Sequence, residues 1–191
     1  MKIKALAAIC KRQKRFFLYD GPEGSPAQWL GDGCAIYPLF KMPPLNEQNI
    51  YTIFDIPEKQ QSKMHFSENI LPEGLEFEDA VACENVLDPA RMEIGYAGRA
   101  LRPLLTSQGL VFIDVQYLAP LSDMADMIEL YERVDRSGRP YIAVKNGFML
   151  VAVIMPYDVI KPDFVEQLQG LTRNCEFALS VKQSREPETE E

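Results

Sequence analysis

The chain has 191 residues, a net charge of −8, 47% apolar and 25% charged residues, and one histidine. That composition suits one soluble globular domain with a full core, needing neither disulfides nor metal. No apolar run reaches the ~18 residues that a membrane span needs, and 3–10 is too short for a secretory signal core, so a cytoplasmic protein without membrane contact is expected.

Residues 3–14 read as a helix, because Ile3, Leu6, Ala7 and Cys10 recur at i, i+3, i+4 and i+7. Residues 1–15 hold six basic groups (Lys2, Lys4, Lys11, Arg12, Lys14, Arg15) and no acid, so the rest of the chain carries 14 basic against 28 acidic side chains. Helical spacing gathers Lys4, Lys11 and Arg15 beside the apolar face and puts Arg12 further round. A basic segment on an acidic body points to one local contact with a polyanion.

A strand follows at 15–20, then a loop at 21–26 and two strands, 28–30 and 35–40, joined by the turn Gly31-Asp32-Gly33. Ile50 to Ile56 (IYTIFDI) reads as a strand. Residues 57–90 are polar and irregular, with loops at 59–63 and 71–74, and read as an excursion. Strands at 92–106 and 109–115 flank the turn 106–109.

A short helix is expected at 116–124, a strand at 128–134, a turn at Ser137-Gly138, and a hairpin of 141–144 and 148–154 through Asn146-Gly147. Residues 162–180 read as an amphipathic helix whose stripe (Phe164, Leu168, Leu171, Cys175, Ala178) docks on the body. Residues 1–182 are read as one domain and 183–191 as a disordered acidic tail.

Two stretches match. Displaced by 112 positions, Leu6, Ala7, Leu18, Tyr19 and Ser25 fall on Leu118, Ala119, Leu130, Tyr131 and Ser137. A two-residue slip then sets Asp32-Gly33 on Asn146-Gly147. Each copy reads helix, strand, strand, strand, and 109–115 puts a strand before the second. The expected fold is α+β: two pseudo-symmetric β-α-β-β-β-like halves, an antiparallel sheet with helices on one face, and a C-terminal helix.

The segments FIDVQYLAPL (112–121), MIELYERVDRSGRPYIAV (127–144) and AVIMP (152–156) occur in the order of that unit. In this they resemble DNA sliding clamps, the processivity factors of replicative polymerases. The resemblance implies a clamp-like fold that meets phosphates through basic helices without reading bases. It implies DNA, bound without sequence preference, or replication proteins as partners. It also implies self-association, since two copies of the unit cannot encircle a duplex. The candidate nucleic-acid contacts are Lys4, Lys11, Arg12, Lys14 and Arg15. The second helix carries Asp123 and Asp126 and no Lys or Arg between Gln116 and Met127, so the polyanion contact belongs to the first half.

Nothing in the chain forms a catalytic set. His65 lacks a nucleophile elbow, and the four cysteines (Cys10, Cys34, Cys83, Cys175) lack a CxxC pair and read as reduced, mostly buried thiols. Glu73, Glu76, Glu78 and Asp79 lack EF-hand spacing and read as a solvated loop. Trp29 and Tyr141 occupy matching strand positions and read as sheet packing. A non-catalytic binding protein without cofactor or metal is therefore expected. The alternative is a protein–protein adaptor of a phage or mobile element that uses the same scaffold without DNA.

Overall fold

Alternation along RFFLYD divides the strand between two cores. Phe16 and Leu18 enter one apolar cluster, while Tyr19 enters another with Phe17 packed against it. This strand belongs to a computed structural model that describes residues 1–21 and 28–184. The chain divides into two compact units, Met1–Tyr157 and Asp158–Glu191.

The first unit begins with α1 (Ile3–Gln13), β1 (Arg15–Asp20), β2 (Gln28–Gly31) and β3 (Ala35–Pro38). Next come α2 (Glu47–Ile53), α3 (Glu58–Gln61), β4 (His65–Ile70), β5 (Asn85–Leu87), β6 (Ile94–Tyr96), β7 (Arg99–Thr106) and β8 (Gly109–Asp114). A 3-10 helix (Val115–Leu121) and a short 3-10 turn (Ala125–Met127) lead into β9 (Ile128–Val134), β10 (Pro140–Asn146) and β11 (Met149–Ile154). The second unit contains α4 (Pro162–Gln183).

The fold is α+β. Eight strands form one sheet in the order β4-β1-β2-β3-β11-β10-β9-β5, and β6-β7-β8 form a second. The large sheet is antiparallel except where β4 runs parallel to β1. Two antiparallel meanders, β1–β3 and β9–β11, meet through β3 and β11, with Ala35 opposite Ile154 and Ile36 opposite Val153. On one face, Leu6 and Cys10 of α1, Ile50 of α2, and Tyr117 and Leu121 of the 3-10 helix share the main core with Phe16, Leu30, Ile142 and Val144. Helices therefore cover that face of the sheet.

The 57–90 excursion covers the other face. It leaves one sheet edge at β4 and returns at the opposite edge as β5. Between them, residues 71–84 lie over a second cluster of Tyr19, Trp29, Ile36, Tyr141, Ala143, Leu150 and Val153. Phe77 meets Trp29 edge-on, with ring centroids 5.1 Å apart, and the Glu76 N–H donates to the Tyr141 hydroxyl at 2.8 Å. Trp29 and Tyr141 are thus buried packing residues.

Arg133 holds the crossing segment. It is 1% exposed and donates to the carbonyls of Glu76 (3.0 Å) and Glu78 (2.9 Å) and to the Glu84 carboxylate (2.7 Å). Lys145 reaches the other Glu84 oxygen at 2.5 Å. Burial pushes the Glu84 pKa up, but hydrogen bonds from Lys145 and Arg133, with their charges, outweigh it and leave the value lowered. A depressed carboxylate stabilises the fold fully above its unfolded pKa, about 4.3, and loses that contribution as pH falls through the folded value. Glu84→Gln should therefore flatten the loss of stability below about pH 4 in urea unfolding measured across pH; an acid limb identical to wild type would contradict this.

Several elements depart from expectation. Ile50 to Ile56 is not a strand. The Asn46 side chain accepts from the Asn49 N–H and the Asn49 side chain accepts from the Asn46 N–H, a reciprocal cap that starts α2. Ile50, Tyr51 and Phe54 are then buried at helical spacing. The loop expected at 59–63 contains the single turn α3. The helix expected at 116–124 is a 3-10 segment interrupted by Pro120, which has no N–H to continue an α-helix. The strand before it, β8, lies in the small sheet and not beside β9. The expected loop at 22–26 and the tail at 185–191 lie outside the described residues.

The thiols also differ from expectation: Cys10 is buried, but Cys34, Cys83 and Cys175 are exposed. Cys34 sits in the β2–β3 turn, Cys83 on the crossing segment and Cys175 on α4. Burial pushes the Cys10 and Cys34 pKa values up, with Asp32 adding to both. A maleimide should label three thiols of the native protein, Cys34 slowest, and reach Cys10 only after unfolding; intact mass after timed labelling tests this, and native labelling of Cys10 would contradict it. Of the α4 stripe, Phe164 is buried, Leu168 is half-buried, and Leu171, Cys175 and Ala178 are exposed.

Candidate nucleic-acid interface

Helix α1 turns Leu6, Ala7, Ile9 and Cys10 into the core. The same geometry leaves Lys4, Ala8 and Arg12 exposed and Lys11 half-buried, as one solvent-facing stripe at i, i+4, i+7 and i+8. Arg12 therefore joins Lys4 and Lys11 on this stripe. Lys11 donates to the Asp55 carbonyl at 3.3 Å. Lys14 ends the helix in the left-handed conformation (φ 56°), its N–H turned back to the carbonyls of Cys10 and Lys11 and its side chain exposed.

Arg15 does not join them. It is the first residue of β1, and strand alternation sends its side chain to the face of Phe17 and Tyr19, away from α1. Its register partner on β4 is His65, whose ring stands 5.5 Å from that of Phe17. The five basic residues thus divide into three on the helix stripe, one at its end and one beyond the sheet. Among the described residues, none of the five has a carboxylate oxygen within 4.0 Å. Lys11 and Arg12 also occupy the last turn, where cations oppose the negative end of the helix dipole.

Acid borders the other end of the stripe. The Lys2 N–H donates to the Pro120 carbonyl at 2.6 Å, which sets α1 beside the 3-10 helix. The terminal ammonium of Met1 meets the Asp123 carboxylate at 2.9 Å, and that hydrogen bond lowers the Asp123 pKa.

At the C-terminal end of α1, Arg12 and Gln13 line a pocket of about 510 Å³ with Ala97, Gly98, Arg99, Asp114 and Gln116. The β6–β7 turn, with φ of 50° at Ala97 and 75° at Gly98, brings Arg99 there. Arg99 is committed to Asp114 at 2.7 Å and lies over the Tyr157 ring at 4.8 Å. Arg12 is therefore the cation of this pocket that no carboxylate holds among the described residues. Asp114 is the single charge of β8 and Arg99 shares β7 with Arg102, so only the tertiary pairing of β7 with β8 marks the pair.

Asp32 does more than make a turn. It is buried and accepts from the N–H groups of Cys34 (2.9 Å) and Ala35 (3.0 Å) and from the Tyr117 hydroxyl (3.0 Å). Tyr37 in turn donates to the Tyr117 carbonyl at 2.6 Å. Burial, then the charge of Asp32, raises the pKa of both tyrosines and keeps them protonated donors. This network ties the β2–β3 turn to the 3-10 helix.

The acidic residues Glu73, Glu76, Glu78 and Asp79 belong to the crossing segment, where an Asp79 oxygen accepts from the Leu150 N–H at 2.8 Å. No cluster of three His, Cys, Asp or Glu residues placed to hold a metal ion occurs among the described residues, and no helix there is long and apolar enough to cross a membrane. No family model, curated protein or solved structure matches this chain.

Proposed function

We propose that the protein is a non-catalytic binding protein that meets the phosphate backbone of DNA on the stripe Lys4, Lys11 and Arg12, with Lys14 extending it. One observation carries this reading: these cations stand together without a carboxylate partner among the described residues, on a chain of net charge −8. Ordinary solvated faces intersperse both signs. A helix that presents only side-chain cations to phosphates binds without base readout, and the sliding-clamp resemblance favours the same mode of contact.

The triple variant Lys4→Glu/Lys11→Glu/Arg12→Glu tests the surface. At 50 mM salt it should weaken binding of a labelled duplex at least tenfold in fluorescence anisotropy, equally for two unrelated sequences. Arg15→Glu should change affinity less, because its side chain leaves the other face of the sheet. Unchanged binding by the triple variant would remove the assigned surface.

A second reading, the adaptor without DNA, draws on a different observation. Met127, Phe148 (91% exposed) and Met149 leave large apolar side chains at one end of the β9–β11 meander, as partner-binding surfaces do. Partners retained after nuclease treatment and lost in Phe148→Asp would favour it.

A further inference from the structure

The pocket at the C-terminal end of α1 holds about 510 Å³, within the usual range of small-molecule sites, about 300–1,000 Å³. Arg12 and Arg99 both line it. Arg12 is exposed and has no carboxylate oxygen within 4.0 Å among the described residues. Arg99 gives an Nη1 hydrogen to Asp114 at 2.7 Å, and the Tyr157 ring lies 4.8 Å from its guanidinium carbon. The Asp114 contact uses one of the five N–H donors of the group and, with the ring, holds it in place.

Asp114 does not cancel this charge. It is buried, and its oxygens also accept from the Gln116 N–H (3.1 Å) and the Gln116 side-chain amide (2.6 Å). Two guanidinium groups against one satisfied carboxylate leave the pocket net positive on a chain of net charge −8. The Lys14 N–H turns back to the Cys10 and Lys11 carbonyls. That reduces the negative field with which a helix C-terminus meets an anion.

The remaining wall is small and apolar: Ala97 and Gly98 of the β6–β7 turn, Ala100 of β7, and Val115 and Ala119 of the 3-10 helix. A cavity with two cations at one side and apolar surface at the other suits a ligand with an anionic head and a body, not a bare ion.

We propose that this pocket binds an organic phosphate the size of a nucleoside monophosphate, its phosphate on Arg12 and Arg99 and its body against Ala97, Ala100, Val115 and Ala119. A phosphate monoester offers three terminal oxygens and more than one charge to two guanidinium forks. The same chemistry occurs in a free nucleotide and at the 5′-phosphorylated end of a DNA strand. The pocket shares Arg12 with the α1 stripe, but its ligand does not depend on duplex binding there.

The experiment titrates the full chain with thymidine 5′-monophosphate in a calorimeter at physiological salt. The nucleotide should bind with a Kd of about 1 mM or tighter, and thymidine or inorganic phosphate roughly tenfold more weakly or worse. Arg12→Met should weaken the nucleotide about tenfold. Ala100→Leu fills the cavity from an exposed strand position without changing charge, and should do the same with an unchanged circular dichroism spectrum. Lys4→Glu should stay within about twofold, because Lys4 lies about 12 Å from Arg12 along the helix, beyond the screening length of about 8 Å. Displacement of the nucleotide by a short 5′-phosphorylated strand, but not by its 5′-hydroxyl form, would support the site and place the source at strand ends. Displacement by neither would support it with a free nucleotide as the source. No binding at millimolar nucleotide, inorganic phosphate as tight as the nucleotide, or unchanged affinity in Ala100→Leu would each overturn the proposal. Equal losses in Lys4→Glu and Arg12→Met would overturn it too, by showing diffuse attraction alone. None of these readouts involves a duplex, so the pocket and the DNA surface fail separately.

Discussion

Replacing Arg133 by alanine should destabilise the first unit by about 3–5 kcal/mol. The guanidinium is buried and serves four partners at once: the Glu84 carboxylate and the carbonyls of Glu76, Glu78 and, at 3.5 Å, Asp79. Its removal leaves the half-buried Glu84 carboxylate with Lys145 alone and takes a donor from each carbonyl, the Glu76 carbonyl keeping the Tyr141 hydroxyl at 3.4 Å. Breaking one member of a buried charge network costs more than the network contributes relative to an apolar replacement, because the partner's desolvation is no longer compensated. The loss should appear as a lower urea midpoint, together with protease cleavage within 71–84, which then loses the Arg133 hydrogen bonds that tie it to β9. Arg133→Met should lose less, because it refills the volume, whereas adding Glu84→Leu should not help, because it strands the buried Lys145 ammonium, whose carboxylate partner among the described residues is Glu84. A single Arg133→Ala variant within 1 kcal/mol of wild type would show that the crossing segment is held by its apolar contacts alone.

Those apolar contacts set the second large effect. Trp29 is 2% exposed and packs against Phe77 on the face that the crossing segment covers. Trp29→Ala should cost about 3–5 kcal/mol, the usual result of removing a large buried aromatic. The indole N–H has no acceptor among the described residues, so the ring's contribution is packing. Trp29→Phe should accordingly stay within about 1.5 kcal/mol of wild type. Equal losses in the two variants would show that the N–H, and not the ring volume, matters. Trp29 meets Phe77 and Arg133 holds the carbonyls of Glu76 and Glu78 on either side of it, so the combined effect of Trp29→Ala and Arg133→Ala should fall short of additivity.

The elements most legible in the sequence are those that local chemistry decides. Helix α1 follows from four apolar residues at helical spacing, and the β10–β11 hairpin follows from Asn146-Gly147, where Gly147 adopts φ 59°. Helix α2 misleads because Ile, Tyr, Thr and Phe favour strands by propensity, while the deciding signal, the Asn46–Asn49 cap, lies just before them. The crossing segment has no local signature at all. Its ties join residues far apart in sequence, such as Arg133 with Glu84 and Tyr141 with Glu76.

The candidate site was legible as a set of residues but not as a surface. Extending helical spacing past Gln13 groups Arg15 with Lys4 and Lys11, yet the chain becomes a strand there and the side chain turns to the opposite face. Arg12, in contrast, joins the stripe and reaches the pocket beside Arg99.

The proposed function requires the α1 stripe to meet DNA phosphates. Its most direct test is the affinity for a mixed-sequence duplex as salt is raised from 50 to 200 mM, for the wild type and for Lys4→Glu/Lys11→Glu/Arg12→Glu. Three to four phosphate contacts predict that log K falls against log salt with a slope of about −3 for the wild type, the same for any sequence, and that the variant binds at least tenfold more weakly at 50 mM with a shallower slope. A flat salt dependence, or equal slopes for the two proteins, would contradict it.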